Sequence, residues 1–226
     1  MTIRNVTCAL IVAASVGFFA GTAFTEDPAP DMEAQQKAMM DLMFKLAEPG
    51  EHHKTLAKME GTWDVVSRAW PMGKLEESKG ECINKMVLGG RYLHTTWKGE
   101  MFGKPHHGIG MMGYDNGKQQ FHSQWYDSMS SACYQLLGQM TEDGKGISSD
   151  GLWEMKLPDG NVMKMKTRMV YTFKDADTFV MEHYSVMEGK EVREMELTYT
   201  RRKAEAAAPR RVAPGCCPPS GRGPGY

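Results

Sequence analysis

From Gly61-Thr62-Trp63 to Tyr199-Thr200-Arg201-Arg202 the chain alternates from residue to residue with a period of two, and no helix-period stretch interrupts it. Trp63, Val65 and Ser67 alternate with Asp64, Val66 and Arg68; Leu93, Thr95 and Trp97 with Tyr92, His94 and Thr96; Phe121, Ser123 and Trp125 with His122, Gln124 and Tyr126. Turn signals recur at Asn116-Gly117, Asp143-Gly144, Asp159-Gly160, Asp175 to Asp177, and Glu188-Gly189. The expected fold is mainly β: nine or ten antiparallel strands, curled into a closed or nearly closed barrel because closure removes the sheet's edges. The late strands carry the clearest parity. Met163, Met165, Thr167, Met169, Tyr171 and Phe173 share one face; Phe179, Met181, His183, Ser185 and Met187 share another; Met195, Leu197, Tyr199 and Arg201 oppose Glu194 and Glu196. Arg201 thus points inward, where its guanidinium can lie over Trp63 in a cation–π contact of about 0.5 to 2 kcal/mol. Trp63 and Arg201 are read as the barrel's structural seal, and Arg202 faces out.

Residues 1–23 read as an export signal, with Arg4 as the positive start, an almost wholly apolar or small stretch over residues 6–24, and Gly21-Thr22-Ala23 as a small-residue cleavage site. The mature chain is then expected to begin near Phe24 and to work in the periplasm or outside the cell. An uncleaved anchor stays open, since the stretch approaches the roughly 18 apolar residues that span a bilayer. Residues 24–60 hold an acidic, Pro-containing spacer and two short helices. Asp31 caps the first, which runs towards Ala47 with Gln36, Met39, Met40, Met43 and Leu46 at helical spacings; Pro49-Gly50 stops it, and residues 51–59 form the second. Residues 61–203 are the barrel. Residues 204–226, rich in Pro, Gly and Arg, are expected to be disordered.

Once Arg4 and the residues from Lys203 onward are set aside, the body from Phe24 to Arg202 carries a formal charge of −5, which argues against nucleic acid as a partner. No second long apolar stretch follows the signal, so no integral membrane domain is expected after its removal. Cys82 and Cys133 are either a bridge or two small apolar side chains, and Cys216-Cys217 lies in the tail. The oligomeric state stays open.

His53-x-x-Leu56-x-x-Met59-x-Gly61-x-Trp63, Gly89-Gly90-Arg91-Tyr92-Leu93, Gly113-Tyr114-Asp115-Asn116, Trp125-Tyr126-Asp127-Ser128-Met129-Ser130, Asp143-Gly144-Lys145 and Tyr199-Thr200-Arg201 follow one another in an order and spacing that resembles the bacterial domain-of-unknown-function family 1579 (DUF1579). The resemblance implies a calycin-like barrel, the architecture of lipocalins, with a cavity for a small hydrophobic ligand. It carries no activity with it.

Methionine makes up 20 of 226 residues, and on inward faces it would line a cavity with flexible, polarizable side chains able to repack around varied apolar molecules. An ordinary core that uses Met in place of Leu is the competing reading. The residues expected to line a ligand site are Trp97, Trp125, Met165, Met169, Tyr171 and Met181, with His183 to orient a polar head. Arg91 and Asp127 are placed at the rim, Arg91 to pair with a ligand carboxylate or with Asp127. Asp127 also fits a turn in which its carboxylate accepts backbone N–H bonds beside Ser128 and Ser130. His106-His107 and His122 flank one turn, but adjacent strand residues point to opposite faces, so three ligands for zinc do not converge. No motif calls for a cofactor. The function expected is non-enzymatic binding or carriage of a small hydrophobic ligand. An isomerase or hydrolase using Asp127, Arg91 or His183, and a haem- or copper-binding barrel, are the alternatives.

Overall fold

The computed structural model describes residues 31–187 and 189–203, and in it the alternating segment becomes ten strands. They are β1 (Gly61–Ala69), β2 (Glu76–Val87), β3 (Tyr92–Met101), β4 (Lys104–Asp115), β5 (Gln120–Asp127), β6 (Tyr134–Met140), β7 (Gly146–Lys156), β8 (Val162–Phe173), β9 (Thr178–Met187) and β10 (Lys190–Arg201). Each strand pairs antiparallel with its neighbours in sequence, and β1 pairs with β10 to close the barrel. Two helices precede it, α1 (Met32–Ala47) and α2 (Glu51–Ala57). Of the described residues, 31–42 fall in one unit and those from Met43 onward in another. Asp31 caps α1 by accepting the Glu33 and Ala34 N–H groups, both at 3.1 Å. No side chain of α1 is buried, so its methionines at 39, 40 and 43 are exposed. Among the described residues no helix is long and apolar enough to cross a membrane. The stretch read as an export signal, residues 1–23, the tail and Cys216-Cys217 lie outside the described residues.

The turns form where aspartates can replace a backbone acceptor. Asp115 Oδ1 accepts from the Gly117 and Lys118 N–H groups at 2.9 and 3.0 Å, Asp143 Oδ1 from Lys145 at 3.0 Å, Asp159 Oδ1 from Asn161 at 3.0 Å, and Asp175 Oδ1 from Asp177 at 2.8 Å. The β3–β4 connection has no such signal. It turns on Phe102 and Gly103, both at positive φ, 51° and 68°, the two-residue geometry that matches strand twist.

Since the strands alternate in direction, the turns around residues 88–91, 116–119, 141–145 and 174–177 gather at the end where β1 begins, and α2 sits at that end too. Leu56 of α2 is fully buried there, beside buried His53 and Met59. His53 Nδ1 accepts the Gly50 N–H at 2.9 Å. The Met59 carbonyl accepts from Trp63 Nε1 at 2.9 Å and from Asn84 Nδ2 at 3.0 Å, which pins the helix exit to the first two strands. Trp63 and Arg201 are direct partners in the β1–β10 register. The guanidinium lies 4.1 Å from the Trp63 ring and donates to the carbonyls of Glu60, Lys58 and Ala176 at 2.5, 2.9 and 3.1 Å. A Cβ at Gly61 would stand 2.5 Å from Arg201 Nη1, on a residue whose φ is 134°, so only glycine fits under the seal. Phe179, stacked on Tyr199 at 4.2 Å and edge-on to Trp63 at 4.7 Å, completes the closed end.

Candidate functional site

Inside the barrel, above this plug, lies a cavity of about 530 Å³, within the range typical of small-molecule sites. Its wall runs from Met59 at the plugged end to Met101, Ala132, Cys133 and Glu154 at the other. Leu93, Met112, Leu136, Met181 and Leu197 make it largely apolar, and no Lys or Arg is found among the described residues lining it.

Three indoles line this lumen, those of Trp97, Trp125 and Trp153, and the space survives because the first two lie against glycines. A Cβ at Gly80 would come within 2.4 Å of the Trp97 ring and one at Gly99 within 2.7 Å; at Gly108 and Gly110 the corresponding distances to Trp125 are 2.1 and 2.9 Å. Missing side chains on β2, β3 and β4 thus let both rings lie along the wall. Their N–H groups then meet two polar side chains. Trp97 Nε1 donates to His106 Nδ1 at 3.0 Å, and Trp125 Nε1 donates to Asp127 Oδ2 at 3.1 Å. Since an indole only donates, His106 Nδ1 is an acceptor and the ring proton sits on Nε2. His106 is 4% exposed, and among the described residues no group accepts from its Nε2. Asp127 Oδ2 is the nearest carboxylate oxygen at 3.9 Å, beyond hydrogen-bond reach. Burial holds His106 below the usual histidine range, with the Asp127 charge opposing that shift.

Asp127 fills the turn role as well. Its Oδ1 accepts the Met129 and Ser130 N–H groups at 2.9 and 3.2 Å, while Ser128 Oγ accepts from His107 N and Ser130 Oγ from Ala132 N, each at 3.0 Å. The loop after β5 is therefore built around the carboxylate that also faces the cavity. On the opposite wall His183 lines the cavity, its Nδ1 3.6 Å from Glu194 Oε2. Burial lowers its pKa and Glu194 opposes the change. Ser185 Oγ donates to Glu194 Oε1 at 2.6 Å, so the carboxylate stands between serine and imidazole. That order does not activate a serine nucleophile, which needs the imidazole against its hydroxyl. Among the described residues no three His, Cys, Asp or Glu side chains are grouped so as to hold a metal ion.

Residues 48–201 match the family described as a protein of unknown function, DUF1579. The chain belongs to this family. It is also similar to the crystal structure of Rv2717c from M. tuberculosis, at 14% identity and a TM-score of 0.49, over 69% of this chain and 100% of that one. The S-type phycobiliprotein lyase CPES from Guillardia theta is 14% identical with a TM-score of 0.47, over 67% of this chain and 93% of that one. No curated protein matches.

Of the residues that the sequence pattern placed at the site, Trp97, Trp125, Asp127, Met169, Tyr171, Met181 and His183 stand on the cavity wall. Met165 does not. The β7–β8 ladder continues out to Lys156 and Val162, whereas β8–β9 pairing stops at Lys166 and β6–β7 pairing at Gly151; on that overhanging hairpin Leu152, Trp153 and Glu154 of β7 still line the cavity, while Met165 of β8, paired with Trp153, does not. Arg91 is at the plugged end, where it donates to the Ala47 and Leu88 carbonyls at 2.7 and 3.2 Å, and so pairs with neither Asp127 nor the cavity. Cys82 and Cys133 both line the cavity and both are free. Burial pushes the Cys82 thiol up to about 12, which keeps it a neutral, inert wall group. Two residues escaped the alternation. His106 shares the inward parity of Gly108, Gly110 and Met112, a signal that was present. Glu194 turns towards Ser185 only because the β9–β10 register shifts between Arg193 and Met195, and a bulge of this kind is invisible to parity.

Proposed function

We propose that this protein binds and carries a small, largely apolar molecule inside the barrel, and that it does so outside the cytoplasm. The supporting observation is the 530 Å³ cavity, kept open by four glycines that let Trp97 and Trp125 lie along its wall. A core built only for stability would be filled, since protein interiors pack to the density of organic crystals. The apolar lining supplies affinity, and the Trp97–His106 and Trp125–Asp127 pairs supply a small number of fixed polar groups, the usual division of labour in a ligand pocket. The export part of the proposal rests on residues 1–23.

Native mass spectrometry of the protein after exposure to a panel of lipids, isoprenoids and aromatic compounds tests the binding. A one-to-one complex is expected, and a ligand held at a hundred times its Kd stabilises the fold by about 2.7 kcal/mol. Absence of any complex and of any thermal shift across the panel contradicts the reading, as does a Soret band in the purified protein. Amino-terminal sequencing of the protein recovered from an exporting host is expected to begin near Phe24; recovery only from the cytoplasm with residue 1 intact contradicts export.

A further inference from the structure

We propose, building on the carrier reading of the same cavity, that the site selects apolar molecules bearing a hydroxyl, which is seated between His106 Nε2–H and Asp127 Oδ2. Two facing groups define the demand. His106 offers a buried N–H with no acceptor among the described residues, its tautomer set by the Trp97 indole. Asp127 offers a carboxylate oxygen that already accepts one N–H, from Trp125, and has capacity for a further donor. The two atoms are 3.9 Å apart, too far to satisfy each other and close enough for one oxygen set to the side of the line between them to reach both.

Only some head groups answer both. A hydroxyl accepts from Nε2–H with a lone pair and donates its proton to Oδ2. A ketone oxygen can accept from His106 but then sets its own lone pairs against the Asp127 carboxylate. A carboxylate head does this with a full negative charge, in a cavity whose described lining includes Asp127 and Glu154 and no Lys or Arg. An ammonium can donate to Asp127, yet it leaves the His106 N–H facing a cation. A pocket that hydrogen-bonds a substrate group rejects analogues lacking it more strongly than an apolar pocket rejects a missing methylene, because its own buried polar atoms are left unpaired. The ligand class is therefore a neutral apolar alcohol or phenol, and a fatty acid is excluded by charge.

The test is a matched series on the wild-type protein at neutral pH: decanol, decanoate, decylamine and methyl nonyl ketone, titrated against tryptophan fluorescence and checked by native mass spectrometry. Decanol is expected to bind at least about tenfold more tightly than each of the others. Asp127→Asn, which can turn an amide N–H towards the same spot, is expected to move the preference to the ketone. If decanoate, decylamine or the ketone binds as tightly as decanol, hydroxyl selection is overturned while the carrier reading stands. If none of the four binds, both fall together. Should Asp127→Asn fail to fold, the wild-type series still decides.

Discussion

A single methyl group at position 108 has no room: its carbon would stand 2.1 Å from the Trp125 ring. Gly108→Ala is expected to swing that ring into the lumen, break its bond to Asp127 and destabilise the fold by about 1–3 kcal/mol. Urea unfolding measures the stability and a fluorescence titration the accompanying loss of ligand affinity; an unchanged pair of values would show that the glycines do not keep the cavity open. Arg201 answers a different need, since its fork serves three backbone carbonyls and covers Trp63. Arg201→Lys keeps the charge but not the fork, and is expected to lose about 2 kcal/mol or more, read as a lower urea midpoint. Stability within error of wild type would mean that the seal is closed by Trp63 and α2 alone.

At the scale of the elements, the bulge in β10 brings Glu194 against His183 and Ser185. Glu194 raises the His183 pKa against a larger lowering by burial. Glu194→Gln is therefore expected to drop that pKa further, followed through the imidazole resonances in a pH titration; a value unchanged from wild type would place the carboxylate away from His183 in solution. The same element shows where the sequence could and could not be read. Strands and hairpin turns were legible because alternation and Asp-initiated turns are local properties of a few residues. Trp63 and Arg201 were legible as partners because each lies on a strand of clear parity at the closing edge. His106 could have been assigned to the inner face by counting back from Gly110, but a histidine pair on a strand shows no preference until the facing Trp97 is known. Met165 and Arg91 were misplaced for reasons of length and end: parity gives the face of a strand, not how far its ladder extends nor which mouth a turn occupies.

For the whole molecule, pH becomes a probe of burial. His53, His106 and His183 all have pKa values lowered mainly by desolvation, so below about 6.5 the unfolded chain binds protons that the folded one refuses. Their neutral burial is fully tolerated above that pH, and stability is lost progressively as pH falls through it towards the lower folded-state values. Melting temperatures measured from pH 8 to pH 5 are expected to decline below about 6.5, and the decline is expected to be shallower in His106→Gln. The barrel as a container is tested most directly by the crystal structure of the protein equilibrated with a bromine-labelled long-chain alcohol. A bromine anomalous peak is expected inside the lumen, with the alcohol oxygen between His106 and Asp127. A lumen filled by Trp97 and Trp125, or bromine found only on the outer surface, would contradict it.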